Sequence, residues 1–377
     1  MKNIVKIILN IFKYKIIFSK IDKKKYLLIH NSNSDILTQV IKKNKLEIVH
    51  YVDEVNIRLF NIKLLKEINL LNYLIEYIKK TDPEFILSFI DNNPTIYKLK
   101  KKFKNKKFIS IQNGIRRNFH FNSFPKLQLK NDIVFIFNNS LKNLYQKYIT
   151  SNFKVIGSFK NNMISLPNIC KKRNSIGYIS QYRDQSDKII FVKINGKTIT
   201  YKDWRLAEIK LVKKLAKFAN ENYLDFSIIG TSNEKKEKIF YDKILKNFNF
   251  NFFYRPNTSS SYKNLSKIGL IFAIDSTLAY EALSHYKKII FFDRSPKVQE
   301  FRFGYPNRFK KKGFFYSDII SDNEIKRLFN NVMHINQIEW KKKINSYLKN
   351  LMVYDKQNKI FKKNLLKIGA LKSDFRK

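Results

Sequence analysis

Short apolar runs, each closed by polar turn or cap residues and most followed by a helical period, recur along almost the whole chain. Runs of this kind predict buried strands, and their alternation with helices predicts parallel sheets. The first half carries six, at 26–30, 46–51, 85–90, 108–111, 133–137 and 153–156. Between the second and third, Ile62, Leu65, Ile68, Leu71, Leu74, Ile75 and Ile78 recur at helical spacing. Residues 159–174 break the rhythm with no period, Pro167 and several Asn and Lys, as a linker does. The alternation restarts with strands at 175–179, 226–229, 250–254, 269–274 and 289–292. Helices are expected at 204–218 and from Glu234, and an irregular polar insertion over 184–200. Lys-rich amphipathic helices run from Asn323 to about Leu371. The pattern predicts an α/β protein of two tandem doubly wound, Rossmann-like domains facing across a cleft. The first spans 1–160 and the second 175–322, with C-terminal helices over 323–377.

The clearest single unit is IGLIFAIDSTLAYEALSHYKKIIFFDR at 268–294. Strand, helix and strand in so short a span make a compact parallel βαβ. Asp275, Ser276 and Thr277 follow the first strand at once and are all N-cap types, while Leu278, Ala279, Ala282 and Leu283 share one helical face. A helix start at the carboxyl end of a strand favours an anion. Ser276 and Thr277 would donate hydroxyls to it, and Glu281, one turn on from Thr277, would accept from sugar hydroxyls. A capped helix packed on its sheet accounts for the same two hydroxyls, so the other strand ends have to decide.

Composition narrows the classes. With 377 residues, 44% of them hydrophobic, the chain is globular and long enough for two cores. Its single cysteine, Cys170, excludes an internal disulfide and a cysteine-based zinc site, and fits a reducing compartment. A net charge of +45 points at face value to nucleic acid. The charge is instead spread through nearly every segment, as a compositional bias would spread it, and no nucleic-acid partner is expected. Attraction to an anionic membrane surface remains an expectation. The first twenty residues are apolar but interrupted by Lys6, Lys13 and Lys15, too broken to span a bilayer. They suit a helix packed against the domain or lying on a membrane. A cytoplasmic protein, or one peripheral on the cytoplasmic face of the inner membrane, is therefore expected.

The Lys bias makes each arginine informative. Only 12 of the 75 basic residues are Arg, so a retained Arg points to a need for the planar fork. Arg116, Arg117, Arg183, Arg255, Arg294, Arg302 and Arg308 fall in predicted loops, mostly just after strands. Strand ends of the second half also carry Ser180, Gln181, Gly230, Thr231 and Ser232. Hydroxyls, two arginines and a carboxylate suit a diphosphate, a ribose and a base. The first half presents His30, Asn31, Asp91, Asn92, Gln112, Asn113, Gly114, Arg116 and Arg117, which suit a polyhydroxylated acceptor.

IQNG at 111–114, VIGSFKNN at 155–162, IGYISQYRD at 176–184, IDSTLAYEAL at 274–283 and, more weakly, FRFGYP at 301–306 give the chain a resemblance. It resembles bacterial surface carbohydrate biosynthesis proteins, grouped with glycosyltransferases of the two-Rossmann-domain GT-B type. The resemblance implies a nucleotide-sugar donor held by the second domain, its phosphates near Ser276 and Thr277, and a glycan or lipid-linked acceptor. Related polymer transferases carry a Gln/His-Gly pair where this chain has Asn113-Gly114. Transfer to a hydroxyl by inversion needs a base, and Asp91, His30 and Asp35 are the candidates. Asp91 also reads as a turn-initiating residue, and His120 and His285 read as surface residues.

The chain has no Asp-x-Asp, no G-x-G-x-x-G and no P-loop. No metal or cofactor is therefore expected, and a nicotinamide enzyme or a kinase is disfavoured. Two other readings stay open: a nucleotide-sugar epimerase of the same architecture, and a non-enzymatic basic nucleic-acid-binding protein. The epimerase would want more acids and a His in the cleft. The binding protein would want clustered charge and exposed stacking aromatics.

Overall fold

The computed structural model describes residues 15–50, 54–59, 69–125, 128–164, 166, 174–232 and 234–371. Most of the N-terminal stretch, the expected helical positions 62–68 and most of the linker lie outside the described residues.

Two six-stranded, all-parallel sheets frame the molecule. The first contains β1 (Tyr26–Ile29), β2 (Leu46–Val49), β3 (Phe85–Ser88), β4 (Lys107–Ile111), β5 (Leu129–Ile136) and β6 (Ile149–Val155), in the order β2-β1-β3-β4-β5-β6. The second contains β7 (Ser175–Ile179), β8 (Asp225–Ile229), β9 (Asn251–Phe253), β10 (Leu270–Ala273), β11 (Ile289–Phe292) and β12 (Tyr316–Ser317), in the order β9-β8-β7-β10-β11-β12. Strands YLLI, FILS, SIGYI, LIFA and IIFF are buried at every residue. Helices on both faces of a parallel sheet leave no polar side, which is why these strands read as unbroken apolar runs.

Among the described residues the helices of seven residues or more are α1 (Leu70–Thr81), α2 (Pro94–Lys102), α3 (Ser140–Gln146), α4 (Tyr201–Glu221), α5 (Lys235–Ile244), α6 (Thr258–Leu265), α7 (Thr277–Ser284), α8 (Asp322–Met333), α9 (Gln337–Leu351) and α10 (Lys359–Lys367). Their starts are written in the sequence. Asn69, Asn93, Asn257, Ser321 and Asn336 each accept a hydrogen bond from a first-turn amide. Thr200 and Asp203 form a reciprocal capping box at the start of α4.

The structure differs from the sequence pattern in four places. Lys15–Ile17, in the N-terminal stretch expected to be helical, is a strand paired in parallel with Glu54–Asn56. The insertion over 184–200 is partly regular: Ile190–Ile194 and Lys197–Thr200 pair as an antiparallel hairpin. The sixth strand of the second sheet, β12, is two residues long and gives no periodic signal. The C-terminal helices are divided between the sheets. Trp340 of α9 is fully buried and donates to the Tyr286 carbonyl at 3.0 Å, on the second-sheet side. The chain then crosses back, and Phe361 of α10 packs against Phe135 and Phe159 of the first half, with ring centroids 4.8 and 4.9 Å apart. Gly157 marks the crossing: its φ is +71°, and a Cβ there would sit 1.8 Å from the Val353 carbonyl oxygen. Among the described residues no helix is long and apolar enough to cross a membrane.

Candidate active site

The carboxyl ends of both sheets meet across a cavity of about 640 Å³. Gly114, Ile115, Arg116, Arg117, Phe119, His120 and Lys160 line it from the first half. From the second half come Ser180, Gln181, Arg183, Gly230, Thr231, Ser232, Arg255, Asp275, Ser276 and Thr277, with Tyr182, Tyr201 and Trp204 among the aromatics. Most of the second-half residues expected at the site are thus brought to one place. Arg183 and Arg255 leave β7 and β9, which lie on either side of β8.

The cleft is bolted at one corner. Arg117 donates to the Asp275 carboxylate and, through Nε, to the Glu300 carbonyl. Asn118 Nδ2 donates to the Tyr305 hydroxyl at 2.6 Å, and the Ile115 amide donates to Thr277 Oγ1 at 3.2 Å. Burial raises the Asp275 carboxyl above its ordinary range, against the opposing pull of Arg117 and Arg294. Asp275 also has a left-handed backbone (φ 56°), uncommon for a non-glycine residue and the point where strand turns into helix. It is a structural tie between the halves and not a ligand for a sugar.

Ser276 is the N-cap residue of α7, yet its side chain makes no capping hydrogen bond. Capping therefore does not account for this hydroxyl. It lines the cavity together with the start of α7, where unpaired amides and the helix dipole favour negative charge. Arg183 is exposed and Arg255 half-buried, and neither has an ion-pair partner among the described residues. The neighbouring strand end is differently occupied. The buried Glu237 carboxylate accepts from the Thr231 amide at 3.0 and 2.9 Å, from its hydroxyl at 2.9 Å and from the Ser232 amide at 3.3 Å. The Gly230–Ser232 turn thus lines the cavity with its amides already paired. Gln181 and Ser180 are likewise engaged. Gln181 Oε1 accepts from Arg294, which lies over the Trp204 ring, and Ser180 Oγ accepts from the Tyr241 hydroxyl at 2.7 Å.

Several expected roles are corrected. Asp91 is fully buried and does not line the cavity. Arg116 grips both its oxygens, with Nε at 2.6 Å from Oδ2, and the Tyr145 hydroxyl and Asn113 amide also donate to it. Burial works against the Arg116 charge, but Asp91 more than offsets it and holds the guanidinium above its ordinary pKa. A carboxylate with its acceptor sites filled is a poor general base. Arg116 is correspondingly occupied. His30 ends β1 outside the cavity lining, with Nδ1 2.7 Å from Ser32 Oγ. Gln112 spans Phe137 N and Gly114 O at 2.8 Å each, and Asn113 accepts from Asn33 at 2.9 Å, so both amides shape the turn. Glu281 is buried, accepting from Ser158 Oγ at 2.6 Å and the Tyr262 hydroxyl at 2.8 Å. It joins the halves and is not available to a sugar.

Two histidines expected at the surface are elsewhere. His285 is buried with its Nε2 3.0 Å from Asn161 Oδ1, and burial lowers it to about 4. His120 lines the cavity. Burial, followed by Arg116, Arg117 and Arg183, lowers it to about 3. Its Nδ1 accepts from the Arg117 amide at 3.0 Å, so the neutral ring carries its proton on Nε2. His120 is the site residue the sequence reading missed. Its one signal was its place three positions beyond Arg117, in a loop already rich in Arg.

Among the described residues no three His, Cys, Asp or Glu side chains group as metal ligands. A family model described as "putative O-antigen biosynthesis protein" matches residues 109–368. A search of curated proteins finds no significant match. Among solved structures, the chain is similar to UDP-GlcNAc 2-epimerase from Neisseria meningitidis bound to UDP-GlcNAc, at 12% identity and TM-score 0.53, covering 91% of this chain and 99% of that one. A Listeria monocytogenes protein assigned as a UDP-N-acetylglucosamine 2-epimerase matches at 13% identity and TM-score 0.52, covering 95% and 97%. A glycosyltransferase from Rickettsia africae matches at 13% identity and TM-score 0.49, covering 92% and 99%. At these identities the likeness shows the fold: two Rossmann-like sheets in the GT-B arrangement.

Proposed function

Because this chain belongs to the O-antigen biosynthesis protein family whose model spans residues 109–368, we propose that it is a glycosyltransferase of surface polysaccharide assembly. The donor is a nucleotide sugar bound by the second sheet, and the acceptor is a glycan or lipid-linked glycan approaching from the first. One observation carries the reading. Ser276, Arg183 and Arg255 line one cavity at the start of α7, with no cap bond for the first and no ion-pair partner among the described residues for the others.

Breaking the bond between the sugar and the diphosphate leaves negative charge on the leaving group. Two guanidinium groups, a hydroxyl and a helix start placed beforehand stabilise that charge as it develops, at a saving of several kcal/mol in the barrier. On this account cationic side chains, and no metal, neutralise the diphosphate, and no resident cofactor takes part. The first-sheet side of the cavity presents cations and the neutral His120 ring, whose Nε2–H donates to an acceptor oxygen. An epimerase would want a His and free acids in the cleft, and of these only the His, His120, is met. Here Asp275 is bound to Arg117, and Asp184 and Glu234 are exposed at the cavity wall, Asp184 paired with Lys236 at 2.7 Å.

Thermal shift across nucleoside mono- and diphosphates and nucleotide sugars tests the proposal, since a ligand that binds the native state raises its melting temperature. A rise confined to the diphosphates of one base and their sugars is expected. A rise with oligonucleotides and none with nucleotides would contradict it.

A further inference from the structure

Glu281, expected from its place in the sequence to accept from sugar hydroxyls, is buried against Ser158 and Tyr262. A ribose brought into the cavity therefore finds its partners elsewhere on the second-sheet wall. The turn after β8 offers them in a particular form. Exposed amides in a turn at the end of a parallel strand ordinarily draw an anion. Here the protein supplies that anion itself. Glu237, in the first turn of α5 and completely buried, accepts from the amides of Thr231 and Ser232 and from the Thr231 hydroxyl. Burial raises the Glu237 carboxyl above its ordinary range, and the bonds from Ser180, Thr231 and Ser232 pull the other way. With these two amides taken, the turn has no such donor left for a phosphate, and the carboxylate repels one. The ligand group received here is neutral.

What the turn still presents is a pair of adjacent hydroxyls of opposite polarity. Thr231 Oγ1 gives its proton to Glu237 Oε2 at 2.9 Å, so toward a ligand it only accepts. Ser232 Oγ accepts from the Glu234 amide at 3.2 Å, which leaves its O–H to donate. One acceptor beside one donor matches two neighbouring hydroxyls, of which one donates and the other accepts. Both residues line the cavity. The Ser232 carbonyl takes the Arg255 amide at 3.0 Å and so fixes the turn against the end of β9.

We propose that Thr231 and Ser232 bind the 2′,3′-diol of a ribose, with Thr231 accepting, Ser232 donating and Glu237 holding Thr231 in that role. The donor is then a ribonucleotide, a chemical class that rests on the reading of the cavity as a nucleotide-sugar site. Position along the sheet agrees. β8 lies two strands from β10, on the side away from β11, roughly 10 Å along the sheet edge. The ties to the first half sit at the β10 end, where Arg117 meets Asp275 and Ile115 meets Thr277. A nucleotide sugar lying along this edge keeps its phosphates at Ser276 and its transferred sugar toward the first half, and puts its ribose over β8. A hexose diol has the same chemistry, and a nucleoside diphosphate, which carries no hexose, separates the two sources.

Calorimetry on the full chain with uridine, cytidine, adenosine and guanosine diphosphates, each beside its 2′-deoxy and 3′-deoxy forms, tests the assignment. For the diphosphate that binds most tightly, loss of either hydroxyl should weaken binding about tenfold. Thr231→Val keeps the shape of the side chain and drops its hydroxyl. That variant should bind the ribo form about as weakly as the unmodified protein binds a deoxy form. Thr231→Ser, which restores the hydroxyl, should recover the preference. A residue that only shapes the turn would change stability in both variants and leave the ratio of ribo to deoxy affinity alone. Circular dichroism on each variant confirms folding. Equal affinity for the ribo form and both deoxy forms, or an undiminished preference in Thr231→Val, would overturn the proposal and leave the donor site standing. Binding of none of the four diphosphates would sink the donor site as well.

Discussion

Ser276 and Asp91 show how differently two polar strand-end residues are used. The Ser276 hydroxyl makes no cap bond, so Ser276→Ala should change unfolding free energy by less than about 0.5 kcal/mol. Its loss should nevertheless weaken nucleoside diphosphate binding by about 1.5–3 kcal/mol, the worth of a hydrogen bond to a charged group. Paired chemical denaturation and calorimetry measure both, and a variant that loses stability but keeps its affinity would make the residue a cap. Asp91 is the reverse case. Asp91→Asn leaves the buried Arg116 charge uncompensated, and the expected cost is about 3–5 kcal/mol of stability. A fully stable Asp91→Asn protein that had lost only turnover would restore Asp91 as the base. The sequence could not separate these two. Asp91 meets its partner 25 positions away and Glu281 meets Ser158 123 positions away, and no local pattern encodes such pairs. His120 was missed for the same reason, since its seat in the cavity depends on the loop from Arg116 reaching across to Glu300.

At the level of elements, most strands were legible because a buried parallel strand is an unbroken apolar run, and the N-caps were legible because Asn, Ser and Thr precede the helices they start. The hairpin over 190–200 was not. Its exposed face carries Lys193, Lys197 and Thr198, which broke the apolar run, and its Asn195-Gly196 turn was the one signal available. The destination of α10 was also hidden, since an amphipathic helix shows which face it buries but not against what. Phe361 is completely buried against Phe135 and Phe159. Phe361→Ala should therefore destabilise the first half by about 3–5 kcal/mol. Hydrogen exchange should show the loss in the β5 amides, far along the sequence from the substitution. A loss of protection confined to residues around 361 would mean that α10 is an appendage.

For the molecule as a whole, the two sheets are joined by ties that also define the cleft: Arg117 to Asp275, Ser158 to Glu281, and the chain crossing at Gly157. The same ties remove Asp275 and Glu281 from the pool of ligands. Among the described residues Ser276, Arg183 and Arg255 line the second-sheet side without such a tie, and the central claim is that these hold the donor diphosphate. Isothermal titration of nucleoside diphosphate into the unmodified protein, and into a variant carrying Arg183→Lys and Arg255→Lys, tests it most directly. The account predicts a single saturable site that the two lysines weaken by at least about tenfold, close to 1.4 kcal/mol, because a point charge does not reproduce the fork. Equal affinity in the two proteins, with both folded, would contradict it.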